Sequence, residues 1–320
     1  MQLILVYPLD LIAPVTDSEI DQIRKSAGEI EVVITRDKAE AIELSKKAQV
    51  IFGDISPEFF PDATQLQWVQ SVGAGVNKIA DYIGDKPIQL VSARGLVGSH
   101  LAEHAFSLLL AITRGVADAI RNPGWEHREE IRIKQWEFTD KVIAIVGMGS
   151  AGQAVAKRAK GFEFQKVIGV DINPSVSGEF LDQVVTPDRI EDVLGECDVV
   201  CLTLPLTPSN KGWFDFQLMS KMKQGSILIN VSRGGLVVHK DLLSLLDQKH
   251  LRAAGLDVAE TEPLLASNEN YERSDLVITP HIAGGSPLRA KRVVDQFCEN
   301  LVLWNSGAKL RGLYDRSLGF

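Results

Sequence analysis

The residues with the clearest chemistry are a glycine fingerprint, one aspartate and three charged or titratable side chains at the ends of apolar runs. Gly147-Met148-Gly149-Ser150-Ala151-Gly152 follows the apolar run 142–146 as G-x-G-x-x-G. In a dinucleotide site each glycine serves a separate purpose. Gly147 makes the tight turn, Gly149 lets the backbone approach a pyrophosphate, and Gly152 lets the following helix pack close to the strand. The helix opening there turns free N–H groups and the positive end of its dipole toward the diphosphate. A strand before the glycines and a helix after them separate this motif from a chance glycine turn. Asp171 ends the next apolar run, 166–171, where a ribose ligand belongs. Its carboxylate can accept from the ribose hydroxyls of NAD and repels the 2′-phosphate of NADP. Ile172 and Asn173 follow, so no adjacent arginine is available for that phosphate. NAD is the expected cofactor.

Arg233 follows the run 227–232 and precedes Gly234-Gly235, Glu262 lies just past the run 253–258, and His281 follows the run 276–279. Ends of strands are where an open α/β sheet presents ligands. A guanidinium can fork onto a carboxylate and a neighbouring carbonyl. A histidine gives or takes a proton near neutral pH. A glutamate beside it keeps that proton on hand. Taken singly these are ordinary positions for a surface arginine, a solvated loop glutamate and a capping histidine. Together with a nicotinamide cofactor they supply what reduction of a 2-oxo acid needs: a carboxylate anchor, a proton donor and a group to hold the donor. The same set serves oxidation of the 2-hydroxy acid.

The elements that must position these residues come in two alternating series. Apolar runs at 3–7, 30–35, 50–53, 68–72 and 89–92 predict strands, with helical patterns at 18–27 and 38–47. A long apolar helix is predicted over 101–120, followed by a charged segment with no clear period, 121–137, that carries Trp125 and Trp136 and reads as an arm. The second series predicts strands at 142–146, 166–171, 199–204, 226–231, 253–258 and 276–279, with helices at 151–160, 188–194 and 240–246, and a last helix over 287–304. Near-continuous apolar strands separated by helices predict parallel sheets covered on both faces.

The chain has 320 residues, enough for two domains, and a formal net charge of -8. That balance disfavours nucleic-acid binding, which needs a basic face. No apolar run approaches the length of a membrane span. The run 1–6 is only a strand long and lacks the basic lead of a signal peptide. Cys197, Cys201 and Cys298 form no framework of pairs and are expected as buried small hydrophobes in a reducing compartment, with no metal bound; the protein is expected in the cytoplasm.

These motifs resemble those of the D-isomer-specific 2-hydroxyacid dehydrogenase family, which includes phosphoglycerate, glyoxylate/hydroxypyruvate and D-lactate dehydrogenases. The landmarks are the fingerprint, Leu204-Pro205-Leu206-Thr207-Pro208, Asn230-Val231-Ser232-Arg233-Gly234-Gly235, Gly255-Leu256-Asp257-Val258 through Glu262-Pro263, and Pro280-His281. The resemblance covers nearly the whole chain. It implies two doubly wound parallel-sheet domains, with a Rossmann dinucleotide domain (99–286) inserted into a flavodoxin-like substrate-binding domain (1–98 and 287–320) and the active cleft at their junction. It implies that Arg233 binds the substrate carboxylate and ketone, that His281 is the acid/base, that Glu262 pairs with His281, and that Asp257 holds the nicotinamide carboxamide. Ser150, Ala151, Leu204, Pro205, Val231 and Ser232 join the glycines and Asp171 in the implied cofactor site. Val72, Gly73, Ala74 and Gly75, within Ser71–Asn77, match the family's substrate loop, whose N–H groups cradle a carboxylate. A homodimer through the helix and arm is implied, and the two tryptophans suit a buried contact.

The sequence departs from the family's pattern in places. Larger residues than Ser150 and Ala151 are common there, and Ser92-Ala93-Arg94-Gly95 replaces an Asn-containing form, leaving Arg94 either facing the cleft or on a hinge surface. No regulatory domain is expected after the last helix. The activity expected most resembles that of glyoxylate/hydroxypyruvate reductases. An NAD(H)-sensing corepressor without turnover is the alternative. Tyr82-Ile83-Gly84-Asp85-Lys86 has the spacing of a short-chain dehydrogenase pair but precedes the fingerprint, and a formate-dehydrogenase activity would place glutamine where Glu262 stands.

Overall fold

A computed structural model describes residues 3–7, 15–53, 55–173, 175–176 and 178–319. Met1 and Gln2 of the apolar amino-terminal run lie outside the described residues; its remainder is buried in the first strand. The chain divides into two compact units, Met1–Val97 with Gly285–Phe320, and Gly98–Gly284.

The first unit is a five-stranded sheet of β1 (Leu3–Tyr7), β2 (Glu31–Ile34), β3 (Val50–Gly53), β4 (Trp68–Ser71) and β5 (Gln89–Val91). All pairings are parallel and the order is β2-β1-β3-β4-β5, that of the flavodoxin-like doubly wound fold. β1 shows why it is an interior strand. Ile4 and Val6 enter one core cluster and Leu3, Leu5 and Tyr7 the other, so both faces of its pleat are apolar. α1 (Asp17–Ala27), opened by a Thr16–Glu19 capping box, covers one face; α2 (Lys38–Ser45) and α3 (Asn77–Ile83) cover the other. α3 was not apparent in the sequence because Gly84 and Asp85 close it after only seven residues. Its last turn holds Tyr82, so the apparent Tyr82–Lys86 pair straddles a helix end.

The second unit begins with the helix predicted over 101–120, which is two helices in the structure. α4 (Gly98–Thr113) stops and α5 (Val116–Arg121) restarts at Gly115, whose φ is +67° and where a Cβ would meet Ile131 at 2.5 Å. The arm is partly helical, with α6 at Arg128–Lys134. Trp136 at its end is not spare surface: it meets Phe138 edge-on at 6.5 Å, with Lys141 and Arg252 over its ring.

β6 (Val142–Val146), α7 (Ser150–Gly161), β7 (Lys166–Val170), β8 (Gln183–Val185), α8 (Glu191–Leu194), β9 (Val199–Leu202), α9 (Phe216–Met219), β10 (Ser226–Asn230), α10 (His239–Asp247), β11 (Leu251–Leu256) and β12 (Leu276–Ile278) complete this unit. The seven strands run parallel in the order β12-β11-β10-β9-β6-β7-β8. Read from β6, this is the dinucleotide-fold order 3-2-1-4-5-6 with one strand added at the far edge. β8, a three-residue edge strand that includes Gln183, was not predicted because its apolar run is too short. Val142, Ala144 and Val146 face the cluster containing α8–α10, while Ile143 and Ile145 face α4 and α7.

The carboxy-terminal helix α11 (Arg289–Asn305) belongs to the first unit, where Phe297 stacks on Phe52 at 4.4 Å between ring centres. There the buried Asn300 amide donates to Gln70 Oε1 at 3.1 Å, Gln70 donates to Gln296 at 2.7 Å and Asn300 Oδ1 accepts from the Arg311 N–H at 2.8 Å, so both buried amides are satisfied.

Candidate active site

The carboxyl ends of β6, β7 and β9 build one half of the site. Gly147 takes φ +94° where the chain leaves β6, and a Cβ there would lie 2.8 Å from the backbone of Leu204. A Cβ on Gly152 would lie 2.0 Å from the Gly147 carbonyl oxygen, so α7 can start this close to the strand only with glycine. Gly149 differs: nothing lies within 4 Å of where its Cβ would be, and as N-cap of α7 it leaves the first N–H groups without a side-chain cap. Packing within the protein does not demand that glycine. Open space at the uncapped start of a twelve-residue helix fits an anionic diphosphate. Ser150 and Ala151 form the first turn of that helix.

Asp171, at the end of β7, accepts from the Met148 N–H at 2.7 Å and from the Asn173 N–H at 2.9 Å, and so ties the glycine turn to the neighbouring strand. Thr203, which the sequence did not single out, donates to the Gly147 carbonyl at 2.7 Å. Leu204 is the backbone wall against Gly147, and the Pro205 carbonyl accepts from Asn210 at 2.8 Å. Val231 is core, and the Ser232 hydroxyl is turned onto Asn230 Oδ1 at 2.8 Å in a local turn.

The other half comes from the ends of β10, β11 and β12. Arg233 follows β10 and is half-buried; its Nη1 donates to the Ser232 carbonyl at 2.7 Å, and Asn230 donates to the Arg233 carbonyl at 3.0 Å. Burial pulls its pKa down and the charge of Glu262 acts the other way; an arginine stays protonated throughout. The Arg233 turn meets the loop after β11 closely: a Cβ on Gly234 would lie 1.8 Å from the Ala259 carbonyl oxygen. That loop carries Glu262. Its Oε1 accepts from the Ala259 N–H at 2.9 Å and its Oε2 lies 2.7 Å from His281 Nδ1. A carboxylate only accepts, so Nδ1 carries a proton and Nε2 is the nitrogen left for a ligand.

Asp257 is the buried anchor of this half, at 1% exposure. Its Oδ1 accepts from the Thr279 hydroxyl at 2.6 Å and the Ile282 N–H at 2.9 Å, and its Oδ2 from the Ala283 N–H at 2.8 Å. His104 Nε2 lies 3.2 Å from Oδ1. Burial alone would raise this carboxyl, but the bonds from His104, Thr279, Ala283 and Ile282 outweigh it and hold its pKa below the usual range. His281 sits between the anchored residues at φ +53°, a left-handed conformation uncommon for any residue but glycine, with its N–H on the Asp257 carbonyl at 2.8 Å. Thr279 and His104 were not apparent in the sequence: the threonine is visible beside Pro280-His281, whereas nothing local marks a histidine inside α4.

In the first unit, residues 71–77 form the turn between β4 and α3. Gly73 and Ala74 are half-exposed and Gly75 is exposed. The Gly73 N–H is engaged by the Ser71 hydroxyl at 3.1 Å, and the Val72 carbonyl accepts from Arg289 at 3.1 Å. Arg94 is exposed. Cys197, Cys201 and Cys298 are buried, and burial pushes the thiols of Cys197 and Cys201 up to about 12, which makes them inert packing groups. Among the described residues no group of three metal-ligating side chains occurs.

Residues 106–283 match the family model described as D-isomer specific 2-hydroxyacid dehydrogenase, NAD binding domain. The chain belongs to the D-isomer specific 2-hydroxyacid dehydrogenase family. Glyoxylate reductase of Pyrococcus furiosus is 30% identical over 79% of this dehydrogenase and 77% of its own length. A family member of known structure from Aeromonas salmonicida superposes with a TM-score of 0.80 at 27% identity, covering 98% of this chain and 99% of the other. An NADPH-dependent glyoxylate/hydroxypyruvate reductase of Sinorhizobium meliloti, whose structure holds NADP and sulfate, superposes with a TM-score of 0.80 at 25% identity over 100% of both chains. The dehydrogenase thus carries its family's pyridine-nucleotide-binding domain in the unit that contains Arg233, Glu262 and His281.

The Asp257 anchor predicts a pH signature. Its folded-state pKa is depressed, so its stabilisation is complete above the ordinary carboxylate range and is lost as pH falls through the folded value. Asp257→Asn should cost about 1–3 kcal/mol at pH 7, the scale of a disrupted buried hydrogen-bond set. In thermal unfolding its deficit relative to wild type should close below about pH 4, near the ordinary carboxylate value. A deficit of constant size down to acid pH would show that the carboxylate charge is not what stabilises the turn.

Proposed function

We propose that this dehydrogenase uses NAD(H) to interconvert a small 2-oxo acid and its D-2-hydroxy acid, with glyoxylate or hydroxypyruvate as the substrate type. The observation that carries the reading is the Glu262–His281 pair, fixed at 2.7 Å on Nδ1 and placed in the same unit as Arg233 and the glycine turn. Its partners are partly exposed, 48% for the histidine and 37% for the glutamate, so the pair adds little to stability and its value lies in orientation.

The unit Gly98–Gly284 is assigned the dinucleotide, and the other unit the substrate, received on the Val72-Gly73-Ala74-Gly75 turn. The bound dinucleotide supplies or accepts the hydride at C2. Arg233 anchors the substrate carboxylate and polarises the ketone oxygen. His281 Nε2 gives a proton to that oxygen as the alcohol forms and takes it back in the reverse direction. Glu262 holds the ring through Nδ1 and balances the imidazolium that remains when the alcohol is oxidised. Asp257 Oδ2 keeps one acceptor direction beyond the Ala283 N–H, which we assign to the carboxamide of the nicotinamide. Leu204, Pro205, Val231 and Ser232 are assigned to the walls of the cofactor site.

His281→Ala should lower kcat by at least about 100-fold in NADH oxidation with glyoxylate, hydroxypyruvate, pyruvate or bulkier 2-oxo acids, with NADH affinity retained. Unchanged kcat would remove the histidine from its role. If wild type turns over none of the panel while binding NADH normally, the chain is a sensor of NAD(H) rather than an enzyme.

The NAD preference rests on the anionic Asp171 at the end of β7, with Ile172 and Asn173 beside it. The NADP held by the Sinorhizobium meliloti relative makes this a sharp comparison. The ratio of kcat/KM for NADH over NADPH should be at least about tenfold, the effect of roughly 1.4 kcal/mol of like-charge repulsion, and Asp171→Ser should shrink it. Equal or reversed values in wild type would reject the assignment.

A homodimer through α5 and the arm is proposed from exposed apolar side chains there: Val116 at 48%, Ile120 at 75%, Trp125 at 87% and Ile133 at 84%. Trp136, by contrast, is spent within its own unit. Sedimentation should show a dimer for wild type and a monomer for Trp125→Asp combined with Ile133→Glu; a wild-type monomer at micromolar concentration ends the proposal. The buried, unpaired cysteines suit a cytoplasmic enzyme. No described helix is long and apolar enough to cross a membrane.

A further inference from the structure

We infer that His104, on α4, is a positioning residue for His281 that acts through Thr279 and Asp257. The inference rests on His281 being the acid/base of the proposed function. His104 stands 175 residues before Thr279 in the chain, yet its Nε2 lies 2.8 Å from Thr279 Oγ1 and 3.2 Å from Asp257 Oδ1.

Proton bookkeeping decides which way this chain of bonds runs. The Asp257 carboxylate accepts and cannot donate. Thr279 Oγ1, 2.6 Å from Asp257 Oδ1, gives its single proton there. Its oxygen can then only accept from the imidazole, so His104 Nε2 carries a proton and also points it toward Oδ1. The hydroxyl is held in one orientation from both sides. The carboxylate that results is the one accepting the N–H groups of Ile282 and Ala283, immediately after His281. Glu262 fixes the ring of His281 through Nδ1; His104, through two intermediaries, fixes the backbone from which the ring projects.

The helix that carries His104 is a rigid support. Ala102, Ala105, Phe106, Leu108 and Leu109 of α4 are buried in the core against β6 and β10. The imidazole itself is only 18% exposed and is not among the residues that fill that core. Its contacts with Thr279 and Asp257 are polar, and both residues shape the His281 turn. A residue there for packing alone would be replaceable by phenylalanine. A donor would not.

The test compares His104→Phe, which keeps the ring and removes the donor, with His104→Gln, which keeps an N–H donor at similar reach. His104→Phe should lower kcat about tenfold, the effect of leaving a buried acceptor short of a donor, while the KM for the 2-oxo acid and the affinity for NADH stay within about twofold. His104→Gln should recover most of the loss. Thr279→Val removes the relay without touching the helix and should match His104→Phe, and the double variant should be no worse than either single one, because both cut the same chain. If His104→Phe fails to fold, Thr279→Val against Thr279→Ser reads the same relay. Wild-type kcat in His104→Phe, or a glutamine variant as impaired as the phenylalanine one, overturns the inference. His281→Ala measured in parallel keeps the two readings apart: collapse there with no effect at position 104 rejects this inference alone, and no collapse there rejects the acid/base assignment.

Discussion

The carboxylate of Asp257 is out of water and must be satisfied, and the way it is satisfied shapes the half of the second unit that carries His281. An ionised group at 1% exposure is tolerated only when its oxygens are well supplied with donors. The donors available are the Thr279 hydroxyl and the N–H groups of Ile282 and Ala283, so the chain leaving β12 has to curl around the carboxylate. Curling that tightly puts His281 at positive φ and aims its ring away from the core. The strain of that backbone, on the order of 1–3 kcal/mol for a non-glycine residue, is comparable to what the buried hydrogen bonds return. The turn persists because the aspartate over-determines it.

The Glu262–His281 pair sits in a different regime. Both partners are partly in solvent, where an ion pair contributes about 0–1 kcal/mol. It does not hold the loop together; the Ala259 N–H on Glu262 Oε1 and the close approach of Gly234 to Ala259 do that. Buried and exposed carboxylates thus divide the work, the first fixing the backbone of the histidine and the second fixing its tautomer. Arg233 is bound by neither carboxylate. It donates to the carbonyl of its own neighbour through Nη1, which leaves the rest of its fork to meet an outside anion.

The nucleotide half shows the same logic in glycine. Gly147 and Gly152 are demanded by the protein's own atoms, whereas Gly149 faces open space and is not. Asp171 links the two functions, since the carboxylate expected to meet a ribose also braces the turn through Met148.

The amino-acid sequence by itself determined the two series of parallel strands, because runs apolar on both faces leave little choice but an interior strand. It also placed the glycine turn, Asp171, Arg233, Glu262 and His281 at strand ends, because residues that must meet at the carboxyl edge of a sheet fall at fixed points in its period. Only the tertiary structure decided what depends on neighbours distant along the chain. The apolar periodicity over 101–120 is continuous, and the break at Gly115 follows from Ile131 lying against it. The edge strand β8 and the short α3 fall below the length at which periodicity carries a signal. The Ser71 hydroxyl on the Gly73 N–H and the Asn230 side chain on Ser232 are choices among local hydrogen bonds that several rotamers allow. His104 is the plainest case. Its position on a buried helix carries no local mark, and its meaning exists only once α4 lies against the end of β12, since hydrogen bonds are set by proximity in space and not by separation along the chain.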